Sequence, residues 1–362
     1  MLVTALIFFA ILSILVFVHE LGHFAVARFI GVAVEEFGFG LPPRIWGKKI
    51  RKTIYSLNWL PIGGFVKLAG EDQESHDVGF TQKNAKHFFW ARSKKERSAI
   101  LIAGVAMNFI VAVGITTYLL TQGVMEPSGR VHVEKVVAGS PAEKAGIAVG
   151  DTIASILSPS SLLPGKLRLP KELIEETKLH QGEEIRLVLV RDGKELTVLL
   201  VPRKEYPKGE GPMGVAISDL EFNVYPVSKA PIAATKINIQ RAGEMLSSIG
   251  RMLWRLATLQ PVWSEVAGPI GIAQVTGEAV KFGWKAVLEF MSILSLNLAV
   301  LNILPIPALD GGRLAFVFLE KLIGKKIKPA FEKSTHQIGM IVLLLLVLLI
   351  SINDILRLTR GL

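Results

Sequence analysis

Four apolar runs along the chain contain no charged side chain: Met1–Val18, Ala99–Leu120, Phe290–Leu309 and Ser334–Asn353. Each is close to the ~20 residues that a helix needs to cross the hydrocarbon core of a bilayer. The first reads as a retained span and not a cleaved signal. No basic segment precedes it, and apolar residues resume at Phe24, Ala25 and Val26.

Between these runs the pattern changes. In residues 32–70 short stretches such as Lys52–Leu57 and Phe65–Leu68 are punctuated by Gly38, Gly40, Pro42, Pro43, Pro61, Gly63, Gly64 and Gly70. That predicts strands and turns forming a membrane-associated β-hairpin region. Residues 129–204 read as a separate α+β domain. Strands are predicted over Val131–Val137 and Ile185–Val190, and helices over Pro141–Ala145 and Pro170–Lys178. Arg191-Asp192-Gly193-Lys194 supplies a hairpin turn. Further on, Ile237, Ile239, Met245, Leu246, Ile249 and Leu253 recur at helical spacing among Lys and Arg. Residues 229–260 therefore predict an amphipathic helix lying on the membrane surface. The expected organisation is an all-α membrane core of four transmembrane helices with one inserted domain. Residues 1–128 form the N-terminal membrane part, 129–204 the inserted domain, 205–285 an extracytoplasmic linker and 286–362 the C-terminal membrane part.

Composition agrees with a membrane protein. Half of the 362 residues are hydrophobic and the mean hydropathy is +0.44, which an ordinary soluble chain does not reach. The formal charge of +10 reports topology and anionic lipid, and gives no reason to invoke nucleic acid. Arg44, Lys48, Lys49, Arg51, Lys52, Arg92, Lys94, Lys95 and Arg97 lie between the first two runs; Arg313, Lys321, Lys325, Lys326, Lys328 and Lys333 lie between the last two. The positive-inside rule puts both loops in the cytoplasm of an inner, cytoplasmic membrane, so the inserted domain and both termini lie outside. There is no cysteine, so a zinc site must draw on His, Asp or Glu.

His19-Glu20-Leu21-Gly22-His23 has the pattern H-E-x-x-H. On a helix, positions i and i+4 share a face, so both imidazoles reach one metal while the Glu addresses its water. Ionisable groups at membrane depth are expensive and seldom idle. A catalytic zinc keeps three protein ligands and one open position, and Asp310 is the candidate third ligand. It follows Pro305 and Pro307, which break the helix of the third run, and precedes Gly311 and Gly312, which permit a tight turn. The first and third spans run in the same direction, so their ends, His19, His23 and Asp310 included, reach one level.

These residues resemble the site-2 protease family of intramembrane zinc metalloproteases, in particular its bacterial RseP-like members. His19–His23 matches the family's first motif, and Asn302–Gly312 matches N-x-x-P-x-P-x-L-D-G-G. Gly63–Lys67 resembles the family's membrane-dipping β-loop, and Gly268–Ala273 the stretch before its third span. Where the family carries A-G-P-x-x-N, Ala103-Gly104-Val105-Ala106-Met107-Asn108 lacks the proline. The resemblance implies Zn²⁺ on His19, His23 and Asp310, Glu20 as the catalytic group, and Asn302 as a contact to the substrate backbone or oxyanion. It also implies single-span membrane proteins as substrates, such as anti-sigma factors or remnant signal peptides. Ser140–Gly146 followed by Gly150-Asp151-Thr152-Ile153 resembles a PDZ domain, which implies peptide binding at a sheet edge or a steric filter. Ser158–Pro164 replaces that domain's usual turn.

Two other functions fit parts of this pattern. A non-catalytic PDZ scaffold needs neither Glu20 nor the ligand set, and a metal transporter needs no Glu between its histidines. The remaining histidines, His76, His87, His132, His180 and His336, lack ligand spacing and read as surface or capping residues.

Overall fold

The computed structural model describes residues 2–71, 86–157, 165–167, 169–207, 209–258, 260, 268–327 and 329–360. His76 and Ser158–Pro164 lie outside these residues. Two compact units are present. One combines Met1–Thr121 with Pro226–Leu362, and the other is Gln122–Tyr225.

In the first unit, four helices among the described residues are long and apolar enough to cross a membrane. They lie in α1 (Leu2–Ile30), α2 (Lys94–Thr121), α7 (Trp284–Ile303) and α9 (Pro329–Arg360). The uncharged run predicted over Phe290–Leu309 is helical only to Ile303. Leu304 is already extended, because Pro305 and Pro307 cannot donate to a continuing ladder. The helix also starts earlier, at Trp284, directly after α6 (Pro269–Phe282). Charge, which marked the ends of the run in sequence, does not stop a helix.

Along α2 the buried positions Ile100, Gly104, Asn108, Ala112, Thr116 and Leu120 recur every four residues and make one stripe. Most are small or polar. Lipid tails are as apolar as leucine, so helices in a bilayer associate through close backbone approach and hydrogen bonds. This stripe uses both. Gly22 of α1 sits so close that a Cβ there would meet Ala103 O at 2.4 Å. On α7, Ser295 Oγ donates to Asn108 O at 2.8 Å and Ser292 Oγ to Ala112 O at 3.0 Å. Asn238 of α5 (Ala230–Ala257) donates to Thr116 Oγ1 at 3.0 Å. Glycine at 22 and 104, serine at 292 and 295, thus replace the hydrophobic drive that is missing in lipid.

Strands β1 (Val34–Ile50) and β2 (Thr53–Leu68) form the expected antiparallel hairpin. Its near half packs on α1. Phe37 stacks on Phe24, with ring centroids 4.7 Å apart, and Ser13 Oγ donates to Pro61 O at 2.7 Å. From Leu41 to Ile50 every residue of β1 is exposed. At the end of the bundle nearest the hairpin, Arg97 of α2 pairs with Glu320 of α8 (Asp310–Ile323), both buried. Losing one partner of such a pair typically costs ~3–5 kcal/mol through the stranded charge. The pair therefore fixes the register of α8 against α2 more than it adds stability.

The second unit holds a six-stranded sheet with path order β7-β6-β4-β3-β8 and β5 beside β4. Its strands are β3 (Val124–Val136), β4 (Thr152–Leu157), β5 (Gly165–Lys166), β6 (Ile185–Arg191), β7 (Lys194–Leu200) and β8 (Val215–Asn223). Two short helices, α3 (Pro141–Lys144) and α4 (Pro170–Leu179), complete it. Alternate residues of β6, Ile185, Leu187 and Leu189, are fully buried and meet Val131, Ile153 and Leu173 in one core. β8, in the stretch assigned by sequence to the linker, closes one edge by pairing with β3. Its hydrophobic alternation is broken by Ser218, Asp219 and Glu221, so periodicity alone does not reveal it. Arg191 Nε and Nη2 grip Asp151 at 2.6 and 2.7 Å, and the guanidinium holds that carboxyl below its usual pKa.

Candidate metal centre

The α-helical ladder of α1 continues through the motif to Ile30, so His19 and His23 fall one turn apart on one face. Their Nε2 atoms are 3.2 Å apart. Asp310 Oδ2 lies 2.9 Å from His19 Nε2 and 3.1 Å from His23 Nε2. Among the described residues this is the one group of three potential ligands whose donor atoms all lie within 4.8 Å of one another. Both histidines are buried.

Asp310 reaches them by a turn that its neighbours dictate. After α7 ends, Ala308 adopts a left-handed φ of 79°, Leu309 caps α8, and Asp310 is that helix's first residue. The two glycines that follow have no room for side chains. A Cβ on Gly311 would meet Leu304 O at 2.1 Å, and one on Gly312 would meet Ile306 O at 2.4 Å. Thus α8 starts directly against the backbone of the proline loop, and its first carboxylate is turned towards α1.

The donor set suits zinc. Zinc takes imidazole nitrogen and carboxylate oxygen at about 2.0–2.2 Å, and a tetrahedron of that size has edges of roughly 3.3–3.6 Å. The observed separations of 2.9–3.2 Å are close to that edge. Ligating histidines also need an acceptor at the second ring nitrogen. His23 Nδ1 has one in Ile100 O, at 2.8 Å. Space is shaped for the rings by Gly104, where a Cβ would sit 2.3 Å from His23 Nε2 and 2.7 Å from His19 Cε1.

Beside the cluster is a cavity of about 240 Å³, lined by His19, Glu20, Asn302 and Asp310 together with Val16, Asn108 and Leu298. It has room for several waters at ~30 Å³ each. Glu20 Oε2 accepts from the backbone N–H of Val66, on β2, at 3.1 Å. The hairpin thereby fixes the carboxylate at the cavity wall. The five residues singled out by sequence, His19, Glu20, His23, Asn302 and Asp310, are all brought to this one place.

Other contributors were not singled out in the sequence. His336, read as a surface or capping residue, lies on α9 and its Nδ1 accepts the N–H of Ala308 at 2.9 Å. It holds the left-handed residue two positions before Asp310. Gly339, one turn further along, lets α9 approach Pro307, because a Cβ there would lie 2.4 Å from Pro307 Cβ. A lone His near the start of an apolar run carries no spacing signal, so only the tertiary contact identifies it. Gly104 and Asn108 stand in the stretch that was set beside the family's A-G-P-x-x-N pattern, without a role being assigned to either, and their four-residue recurrence within an apolar span marks a packing face.

A family model described as Peptidase family M50 matches residues 7–346. A Fusobacterium nucleatum protein, named provisionally as a zinc metalloprotease, is 33% identical over 358 residues, which cover 98% of this chain and 99% of the relative. The zinc metalloprotease RasP of Bacillus licheniformis is 30% identical, with 98% of this chain and 99% of the relative covered. The regulator of sigma-W protease RasP of Bacillus subtilis is 29% identical with the same coverage.

Proposed function

The chain belongs to peptidase family M50, the site-2 proteases, and from that membership we propose that it hydrolyses peptide bonds within, or next to, the transmembrane segments of single-span membrane proteins. It is a zinc metalloprotease. In our reading His19, His23 and Asp310 hold the metal, Glu20 is the general base and Asn302 meets the substrate. The observation that carries this reading is the convergence of three potential ligand atoms, of His19, His23 and Asp310, beside a cavity that His19, Asp310 and Glu20 line.

Zinc, when bound, acts as a Lewis acid that polarises a carbonyl and lowers the pKa of water to ~7. Glu20 accepts a proton from the attacking water and delivers it to the departing amine. The Val66 N–H orients the carboxylate for both transfers. Asn302, on the same cavity, presents an amide N–H₂ to the carbonyl oxygen as negative charge grows there. A helix in lipid has its carbonyls tied up in its own hydrogen bonds, so the scissile segment must unwind first. The β1–β2 hairpin offers a strand against which unwound backbone can pair. The Bacillus subtilis relative is named a regulator of sigma-W protease; the substrates we propose for this chain are single-span anti-sigma factors and remnant signal peptides of the same form.

Co-reconstitution of the protein with a single-span substrate in proteoliposomes tests the activity. Cleavage within the span is expected, together with its loss on chelation and its return on adding zinc. An uncut substrate at full zinc loading would overturn the proposal.

The loop charges further support a cytoplasmic site and an extracytoplasmic inserted unit, which we read as a PDZ domain able to bind extended peptide. With no native cysteine, Lys194→Cys on the β6–β7 hairpin and Lys325→Cys after α8 are clean reporters, both exposed. An impermeant thiol reagent on intact cells should label Lys194→Cys alone. Labelling of Lys325→Cys alone would invert the topology.

A further inference from the structure

Helix α2 addresses both histidines of the centre, through different groups. Ile100, Gly104 and Asn108 succeed one another at four-residue intervals on its buried stripe. Ile100 O accepts at His23 Nδ1, Gly104 leaves space for both rings, and the Asn108 amide faces His19 Nδ1. Asn108 is fully buried, with Nδ2 3.4 Å from His19 Nδ1, while its Oδ1 has no hydrogen-bond partner. An unsatisfied buried acceptor is destabilising, so its presence beside the centre needs a reason.

The chemistry of imidazole gives one. A donor facing Nδ1 suits a ring protonated at Nε2, and such a ring donates to Asp310 Oδ2, here at 2.9 Å. A ring that gives Nε2 to a cation carries its proton on Nδ1 and needs an acceptor there. For His23 the Ile100 carbonyl is that acceptor. The Asn108 amide faces His19 Nδ1, and a half-turn about its last torsion exchanges Nδ2 for the orphaned Oδ1.

We propose that Asn108 is the positioning residue for His19: its Oδ1 accepts the Nδ1–H and so sets the tautomer and ring orientation in which Nε2 binds zinc. An amide serves both tautomers, by donating to one and accepting from the other. A hydroxyl at this position would be too short to reach, and a leucine would leave the Nδ1–H buried and unpaired. This inference rests on the assignment of His19 as a ligand.

The test measures zinc affinity of the full-length protein in detergent by competition with a chromogenic chelator, alongside the visible spectrum of the cobalt-loaded form. Asn108→Leu is expected to weaken zinc binding about 10–100-fold and to shift the cobalt bands. Asn108→Asp keeps an acceptor and is expected to bind zinc at least as tightly as the unaltered protein, with its cobalt spectrum. A merely structural Asn would not be rescued by a buried charge. Unchanged affinity in Asn108→Leu, or an Asn108→Asp variant as weak as Asn108→Leu, overturns the proposal. If Asn108→Leu fails to fold, Asn108→Asp decides alone, and zinc binding weaker than that of the unaltered protein counts against it. Failure of the unaltered protein to bind zinc would sink the metal-centre reading itself, a result distinct from either.

Discussion

Replacing Glu20 by glutamine lowers peptide-bond cleavage by about 10²–10⁴-fold or more while zinc stays bound. The range of about 10²–10⁴ is the usual worth of a positioned general base. The argument is geometric. Glu20 shares the cavity with His19 and Asp310, two of the three proposed ligands, but is not one of the three residues whose donor atoms cluster. Its Oε2 is held instead by Val66 N. Glutamine keeps the shape and can still accept from Val66 through its amide oxygen, yet it cannot take a proton from water at neutral pH. Metal content and cleavage rate, measured on the same preparation, check this. Loss of zinc together with activity would mean that Glu20 is a ligand; retained activity would mean that another group is the base.

Asp310→Ala is expected to lose both zinc and cleavage. Two imidazoles alone hold zinc weakly, and a catalytic site needs a third protein ligand. Asp310 Oδ2 bridges both histidine Nε2 atoms at 2.9 and 3.1 Å, and no other group of three potential ligands occurs among the described residues. Metal analysis after purification in zinc-containing buffer gives the answer. Stoichiometric zinc in the variant would show that the third ligand lies elsewhere.

Much of this molecule could be read from its sequence because membranes constrain chains tightly. Uncharged runs located the four long apolar helices found among the described residues, and the turn at Arg191–Lys194 appears where expected between β6 and β7. The H-E-x-x-H spacing and the Asp310 turn identified residues that do converge. What could not be read are contacts whose physical cause lies on a distant element. His336 supports Ala308 from another helix, and Val66 holds Glu20 through a backbone N–H that no side-chain pattern encodes. β8 was hidden because its sequence alternates poorly; its place follows from pairing with β3.

His19 and Asp310 are separated by 291 positions in the chain. At about 5–20 residues per second, a ribosome takes roughly 15–60 s to travel between them. Throughout that interval the first helix already carries its two imidazoles and its carboxylate in the bilayer, among nascent spans that a competent peptidase could cut. On the ligand assignment proposed above, the centre is incomplete until residue 310 has been synthesised. A chain released early, anywhere before residue 310, carries no third ligand. Such truncated products are therefore expected to be inactive without any separate inhibitor.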